Sequence, residues 1–192
     1  AVIPYCSKLT DAAKRLGAVN TIVRQSDGSL LGHNTDYFGF LSTVRKTGLC
    51  LDGKKALVLG SGGASVTATS VLTELGASVI VVSRFGKNNY NNLNDHADAA
   101  LIVNATPVGM YPNTDESPVS LEFFPELEGV IDLIYNPART QLIQQAEARG
   151  IVAENGLWML VAQAKESAEW FTGNRISDDI IPEIYKLLTQ MM

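Results

Sequence analysis

The residues best suited to chemistry in this chain are a run of small residues at 60–65, Gly-Ser-Gly-Gly-Ala-Ser. Glycines at this spacing let backbone N–H groups face a phosphate, and a helix that starts there adds the positive end of its dipole. The run departs from the dinucleotide-binding pattern G-x-G-x-x-G at its last position, which is Ser65. It therefore predicts a pyrophosphate site if it joins a strand to a helix, and a structural turn is the alternative.

A second chemical group is the guanidinium of Arg84. Sites that prefer NAD place a carboxylate about 20 residues after the glycines, where it binds the ribose 2′-hydroxyl. This chain has Ser83 and Arg84 there instead. Because a guanidinium offers planar donors that suit a phosphate, the sequence favours NADP over NAD, with a solvated surface arginine as the alternative.

A third candidate is the carboxylate of Asp36. It follows Thr35 at the start of a predicted helix, 37–46, and comes after a predicted hairpin with strands at 18–23 and 30–31. Either residue could simply cap that helix, since caps of this type are common. From the residues alone, a helix cap and a catalytic carboxylate both remain open. Before the hairpin, the spacing of apolar residues predicts a helix over 4–16.

The elements around the glycines have the order that a dinucleotide site requires. An apolar run at 55–59 predicts a strand, 66–75 predicts a helix, and a β-branched run at 78–82 predicts a second strand. Together they form a βαβ unit, which is the context in which such glycines bind dinucleotides.

Each small residue of the run has an expected role in that unit. Gly60 lets the chain reverse without a Cβ clash, and Gly62 lets the backbone approach a phosphate. Gly63 and Ala64 are expected to let the helix pack closely on the strand.

Two further buried strands are predicted at 99–103 and 129–135, and each is followed by polar or turn residues. Parallel strands end at one edge of a sheet, and in open α/β sheets ligands bind at that edge. The rest of the chain predicts a helix at 140–149, a short strand at 151–152 and helices at 157–171 and 177–192.

The predicted fold class is α/β, with a Rossmann-type doubly wound parallel sheet. We expect a coenzyme domain at 49–155, a remnant of a second, N-terminal α/β substrate domain at 1–48, and helices at 156–192 that pack back toward that domain. The chain starts with Ala1 and not with an initiator methionine, and its first residues enter in the middle of a sequence pattern. We therefore also expect it to be a fragment.

Composition excludes several classes of function. The net charge is −5 and the basic residues are scattered, so we expect no nucleic-acid partner. Cys6 and Cys50 form no metal-binding spacing, so no metal and no disulfide framework are expected. The lack of a disulfide framework fits a reduced setting, so we expect a cytoplasmic location. No apolar run reaches the ~18 residues of a membrane span, so we expect no membrane partner. The sequence does not indicate an oligomeric state.

Six separated motifs resemble the shikimate dehydrogenase family in order and spacing. They are Gly-Ala-Val-Asn-Thr at 17–21, Gly-His-Asn-Thr-Asp at 32–36, the glycine run at 60–65, Asn-Ala-Thr-Pro-Val-Gly-Met at 104–110, Asp-Leu-Ile-Tyr-Asn-Pro at 132–137 and Asn-Gly-Leu-Trp-Met-Leu-Val-Ala-Gln at 155–163. The resemblance implies an NADP-dependent oxidoreductase that interconverts 3-dehydroshikimate and shikimate in chorismate and aromatic amino-acid biosynthesis.

The resemblance also implies roles for individual residues. Asp36 would be catalytic and, with Asn20, would hold the hydroxyls of shikimate, while Tyr135 and Gln163 would reach it from the other side. The implied coenzyme contacts are Gly60, Ser61, Gly62, Gly63, Ala64, Ser83, Arg84, Asn104, Ala105, Thr106, Leu133, Gly156 and Met159. Ser83 and Phe85 differ from the family's Asn-Arg-Thr around Arg84.

The family's catalytic lysine belongs to an Asn-Val-Thr-x-Pro-x-Lys segment, which these residues do not contain. The resemblance places that segment just before Ala1, so we expect the chain alone to be poorly active. Two alternatives stay open: an NAD-dependent quinate/shikimate dehydrogenase, and a non-catalytic sensor of shikimate-type ligands on the same fold.

Overall fold

A computed structural model of the chain describes residues 2–191 and divides it into two compact units. One unit contains the chain up to Ser42 together with the chain from Trp158 onward, and the other is Thr43–Leu157. The predicted assignment of 1–48, 49–155 and 156–192 to functional domains stays a prediction. Residues 1 and 192, which end two of those ranges, lie outside the described part.

The N-terminal part of the first unit forms a small sheet with two helices. The elements are β1 (Lys8–Leu9), α1 (Asp11–Leu16), β2 (Thr21–Arg24), β3 (Leu30–His33) and α2 (Asp36–Thr47), whose residues after Ser42 belong to the second unit. The strand order is β1-β3-β2, with β1 parallel and β2 antiparallel to β3. The hairpin predicted between β2 and β3 is present, and Gly28 turns it with φ +83°.

The predicted helix over 4–16 is wrong in its first half. Only α1 is α-helical, after a 3₁₀ turn at Ile3–Tyr5 and the strand β1. Thr10 caps α1, because its hydroxyl accepts a hydrogen bond from the Ala13 N–H at 3.3 Å. The backbone before it pairs with β3, a contact distant in sequence that helical spacing of apolar residues could not reveal.

The second unit is a five-stranded parallel sheet with helices. Its elements are β4 (Lys55–Leu59), α3 (Gly63–Glu74), β5 (Ser78–Val82), β6 (Leu101–Asn104), β7 (Gly129–Asp132), α4 (Gln141–Ala148) and β8 (Val152–Glu154). The strand order is β5-β4-β6-β7-β8, and every neighbouring pair is parallel. The predicted α/β class with a Rossmann-type parallel sheet is confirmed. The fourth predicted strand ends earlier, at Asp132.

The core of this unit lies on the sheet. All four residues of β6 and all four of β7 are buried, as are four of the five residues of β4. Strands that are covered on both faces read as continuous apolar runs, which is why these segments are recognisable without alternation. Phe124 and Leu142 are completely buried in the same cluster.

The first unit is completed by two helices, α5 (Leu157–Thr172) and α6 (Ile180–Met191). Val161, Ala162 and Ile181 are buried together, and Phe38 of α2 packs against them. Within residues 2–191, no helix is both long and apolar enough to cross a membrane, and no group of three or more His, Cys, Asp or Glu could hold a metal ion.

Gly156 occupies a position that has no room for a side chain, because a Cβ there would overlap the carbonyl of Leu133. We expect Gly156→Ala to lower the free energy of unfolding by about 1–3 kcal/mol, the usual cost of overpacking. Gly63→Ala is the matched control: its Cβ meets nothing within 4 Å, and alanine is a better helix former. Urea unfolding followed by circular dichroism measures both, and equal effects of the two substitutions would contradict this reading.

Candidate active site

The glycine run begins where β4 ends. Gly60 has φ +108°, a left-handed conformation that side chains disfavour, and its N–H donates to the Val82 carbonyl at 2.8 Å. A Cβ at Gly60 would lie 2.8 Å from the carbonyl oxygen of Ala105. Both the backbone angle and the close approach therefore require glycine here.

Helix α3 starts at the next part of the run. Gly62 is its N-cap residue, with no side-chain cap on the first turn, and a Cβ at Gly62 would meet nothing within 4 Å. The first N–H groups of a helix have no partner within the helix. The space beside Gly62 thus fits an anion that would accept from them and benefit from the helix dipole.

The expected packing role of Gly63 and Ala64 is wrong. A Cβ at Gly63 would meet nothing within 4 Å, and Ala64 is exposed. The helix instead packs through Ser65, which is 2% exposed, and Ala68, which is fully buried. Ser65 stands where the pattern has its third glycine, so a small buried residue, although not glycine, occupies the packing position.

A cavity of about 590 Å³ lies beside the glycine run, within the second unit. Its lining combines predicted contacts with residues that sequence reasoning missed. The predicted ones are Gly60, Ser61, Gly62, Ser83, Arg84, Ala105 and Thr106, and the others are Tyr90, Pro107, Val108, Ser117 and Pro118. Residues from the ends of β4, β5 and β6 thus meet in one cavity, as expected for the carboxyl edge of a parallel sheet.

Tyr90 is the most informative of the missed residues. It packs against the buried core cluster, and burial raises the pKa of its hydroxyl, while the charge of Arg84 opposes that shift. Arg84 itself is exposed, with its guanidinium 5.9 Å from the Phe85 ring centre. Tyr90 lies in a polar stretch without periodicity, so no motif could have indicated it.

A second, smaller cavity of about 320 Å³ also lies within the second unit. It is lined by Ala64, Ala105, Thr106, Leu133 and Tyr135, together with Met110, Tyr111, Ile134 and Asn136. Leu133 and Tyr135, predicted to contact coenzyme and substrate respectively, therefore share a cavity with the end of the glycine run.

A buried polar network supports the loops around these cavities. Asn104 and Asp132 are both completely buried, and the Asn104 Nδ2 donates to the Asp132 carboxylate at 2.9 Å. Thr140 also donates to this carboxylate, at 2.6 Å. Burial raises the pKa of Asp132 to about 6, although these donors and the Ile134 N–H favour the charged form.

Three predicted substrate residues are brought together in the first unit. Asn20 hydrogen-bonds to the carboxylate of Asp36, and burial raises the pKa of Asp36 against that bond. The hydroxyl of Thr35 lies 3.3 Å from Asn20 Oδ1 and 3.2 Å from Gln163 Oε1. Asn20, Asp36 and Gln163 are thus linked through Thr35, although Gln163 is far from the other two in sequence.

Thr35 is a residue that the sequence suggests only as a helix cap. It is completely buried, and it also accepts a hydrogen bond from Ser167 at 3.1 Å. The Asp36 N–H is held by the side chain of Asn34 at 3.0 Å. The signal that could have found Thr35 is its place next to Asp36 in a polar run that directly follows a strand.

The remaining predicted coenzyme residues are placed by α5 and the turn before it. Gly156 donates its N–H to the Ile134 carbonyl at 3.0 Å and lies against Leu133. Met159 belongs to the first unit, where its carbonyl packs against Gly39 of α2. Neither residue lines the 590 Å³ cavity.

Known proteins are similar to this chain both in sequence and in structure. The chain is 33% identical to the shikimate dehydrogenase (NADP(+)) of Clostridium perfringens over an alignment 207 positions long, gaps included, which covers 97% of this chain and 76% of that protein. It is similar to the crystal structure of shikimate dehydrogenase 1 from Peptoclostridium difficile, with a TM-score of 0.87, 37% identity, and coverage of 99% of this chain and 73% of that one.

A further similar structure is shikimate 5-dehydrogenase from Thermus thermophilus in complex with NADP(H) and shikimate. The TM-score is 0.83 and the identity is 33%, and the match covers 96% of this chain and 74% of that one. A scan of the chain against protein-family models finds no match.

The raised pKa of Asp132 makes a prediction about stability. The folded state binds a proton near pH 6 and the unfolded state only near pH 3.8, so falling pH stabilises the fold through this group. We expect the free energy of unfolding of the wild type, minus that of Asp132→Asn, to increase by up to about 3 kcal/mol between pH 7 and pH 4. Urea unfolding at a series of pH values measures it, and a difference that does not vary with pH would contradict the assignment.

Proposed function

The chain belongs to the shikimate dehydrogenase family, and from this premise we propose that it interconverts shikimate and 3-dehydroshikimate with NADP(H). This is a step of chorismate and aromatic amino-acid biosynthesis. The observation that carries the proposal is the 590 Å³ cavity, which is lined by Gly62, the N-cap residue of α3, and by Arg84. It combines the two features that a phosphorylated dinucleotide needs: free N–H groups and a cation for a further phosphate.

The residues of the second unit fit NADP. Backbone N–H groups beside Ser61 and Gly62 would hold the pyrophosphate, and Arg84, next to Ser83, would bind the 2′-phosphate. By family resemblance, the coenzyme would also be lined by Asn104, Ala105, Thr106, Leu133, Gly156 and Met159. When bound, the coenzyme accepts or delivers the hydride, while the protein residues bind it and fix its orientation.

The polar cluster of the first unit fits a polyhydroxylated acid. Asn20 offers an amide and Asp36 a carboxylate, and these groups would hold hydroxyls of shikimate. Gln163 is oriented by Thr35, and Tyr135 is proposed as a further contact. The raised pKa of Asp36 suits a carboxylate that exchanges a proton near the reacting alcohol, since such shifts are typical of functional sites.

Besides binding the substrate, the site must support removal of the proton from the reacting hydroxyl of the substrate. A secondary alcohol gives up hydride only as this proton leaves, and a positioned base contributes about 10²–10⁴-fold. In the family the base is a lysine of the Asn-Val-Thr-x-Pro-x-Lys segment. Neither Lys8 nor Lys14 lies in such a motif, so we assign neither of them this role.

The assignment of Arg84 predicts a preference for NADP(H) over NAD(H). We expect Arg84→Ala to weaken NADP binding by about 1.5–3 kcal/mol, the size of a charge-assisted hydrogen bond, and to leave NAD binding nearly unchanged. Calorimetric titration with both coenzymes measures this. Arg139→Ala is the control, because it removes the same charge from the same unit outside the cavity. Equal wild-type affinity for NAD and NADP would overturn the assignment.

The role of Asp36 is tested by Asp36→Asn. The wild-type chain and Asp36→Asn are each joined to the N-terminal residues of a family member that carry the lysine, so that the base is present in both proteins. Turnover is then measured with shikimate and NADP. We expect a decrease of about 10²-fold or more and little change in melting temperature. Since asparagine caps helices as well as aspartate does, unchanged turnover would indicate that Asp36 acts only as a helix cap.

A further inference from the structure

We propose that Asp132 is a positioning residue for the coenzyme, because its buried carboxylate holds the loop after β6 and the loop after β7 in one fixed arrangement. The inference rests on the proposed function, since it concerns the site at which NADP(H) is proposed to bind. Asp132 itself lines neither of the two cavities described above, so it would act through the residues it holds.

The carboxylate joins three parts of the chain. Asp132 is the last residue of β7 and is completely buried. Its Oδ1 accepts hydrogen bonds from Asn104 Nδ2 at 2.9 Å and from the Ile134 N–H at 3.1 Å. Its Oδ2 accepts one from Thr140 Oγ1 at 2.6 Å. Leaving any of these buried donors unpaired would be costly, so the carboxylate fixes the positions of all three.

The first arm of this network helps to orient the amide of Asn104, whose Nδ2 also donates to the Val108 carbonyl at 3.2 Å. A carboxylate can only accept, so the amide nitrogen of Asn104 must point toward Asp132 and its oxygen must point away. That oxygen accepts from the Thr106 N–H at 3.0 Å and from the Thr106 hydroxyl at 2.7 Å. The Thr106 hydroxyl in turn accepts from the Val108 N–H at 3.2 Å. The path therefore runs from Asp132 to the lining of the 590 Å³ cavity.

The second arm holds the loop after β7. The Ile134 N–H binds the same Oδ1, and the Leu133 N–H donates to the Asn104 carbonyl at 3.0 Å. Leu133 and Ile134 line the 320 Å³ cavity, which Thr106 also lines. One oxygen atom thus sets the spacing between two loops that are proposed to contact the coenzyme.

The third arm serves a different purpose and provides the control. Thr140 is 1% exposed, caps α4 by accepting from the Ile143 N–H at 3.3 Å, and lines neither cavity. Loss of its hydroxyl would destabilise the helix start without freeing Asn104. A purely structural role of Asp132 would make its removal resemble that of the Thr140 hydroxyl, whereas a positioning role separates the two.

The test compares Asp132→Ala, Asp132→Asn and Thr140→Val for NADPH affinity by calorimetry at pH 8 and for melting temperature. We expect Asp132→Ala to weaken NADPH binding by at least ~10-fold, since Oδ1 is lost. Asp132→Asn should rescue binding to within ~3-fold of the wild type, because its amide oxygen can face Asn104 and Ile134. Thr140→Val should melt earlier but bind NADPH within ~2-fold of the wild type.

Two results would overturn this inference and leave the proposed function unaffected. One is wild-type NADPH affinity in Asp132→Ala, and the other is a loss of NADPH affinity in Thr140→Val equal to that in Asp132→Ala. Absence of NADPH binding by the wild type would overturn the proposed function as well. If Asp132→Ala does not fold, hydrogen exchange of the wild type decides. NADPH at ten times its Kd should slow exchange of the Thr106 and Ile134 amides by up to about tenfold and leave Ile143 unchanged. Unchanged exchange at Thr106 and Ile134 would overturn the inference.

Discussion

The hydrogen bonding between parallel strands continues beyond the strands themselves, and the rest of the second unit depends on it. The Gly60 N–H donates to Val82, the Ala105 N–H to Leu59, and the Leu133 N–H to Asn104. In each case the first residue after one strand is bonded to the last residue of a neighbour. The first residue of each of these loops therefore extends the sheet, so the buried strands set where each loop begins.

In the first unit, side-chain hydrogen bonds fix the positions of the polar residues. Its polar cluster depends on Thr35, a buried hydroxyl between Asn20 on one side and Gln163 on the other. Asn20 lies in the loop before β2, Thr35 in the loop after β3, and Gln163 on α5, so two loops and a helix contribute. Because each partner is held by a directional bond, the cluster can hold the Asp36 carboxylate partly buried, although burial disfavours its charge.

Sequence reasoning succeeds where local chemistry decides structure and fails where distant contacts decide it. The strand at 78–82 has the bounds that the sequence predicts, because a continuous β-branched run has few alternatives. The prediction of helix over 4–10 is wrong, since the pairing of this segment with β3 is set by residues more than 20 positions away. Ser65 and Tyr90 are missed as packing and lining residues because burial depends on what lies opposite, which no single stretch of sequence records.

The division of the chain into units has a consequence for how it can fold during synthesis. The second unit, Thr43–Leu157, is continuous, so all of its strands are available once that stretch has left the ribosome. The other unit packs Phe38 against Val161, Ala162 and Ile181, which are made after that stretch. Its core cannot close until Ile181 has been translated, and its early strands must wait with apolar surface exposed. Chaperone dependence should therefore be concentrated in the first 42 residues, even though the second unit is the larger of the two.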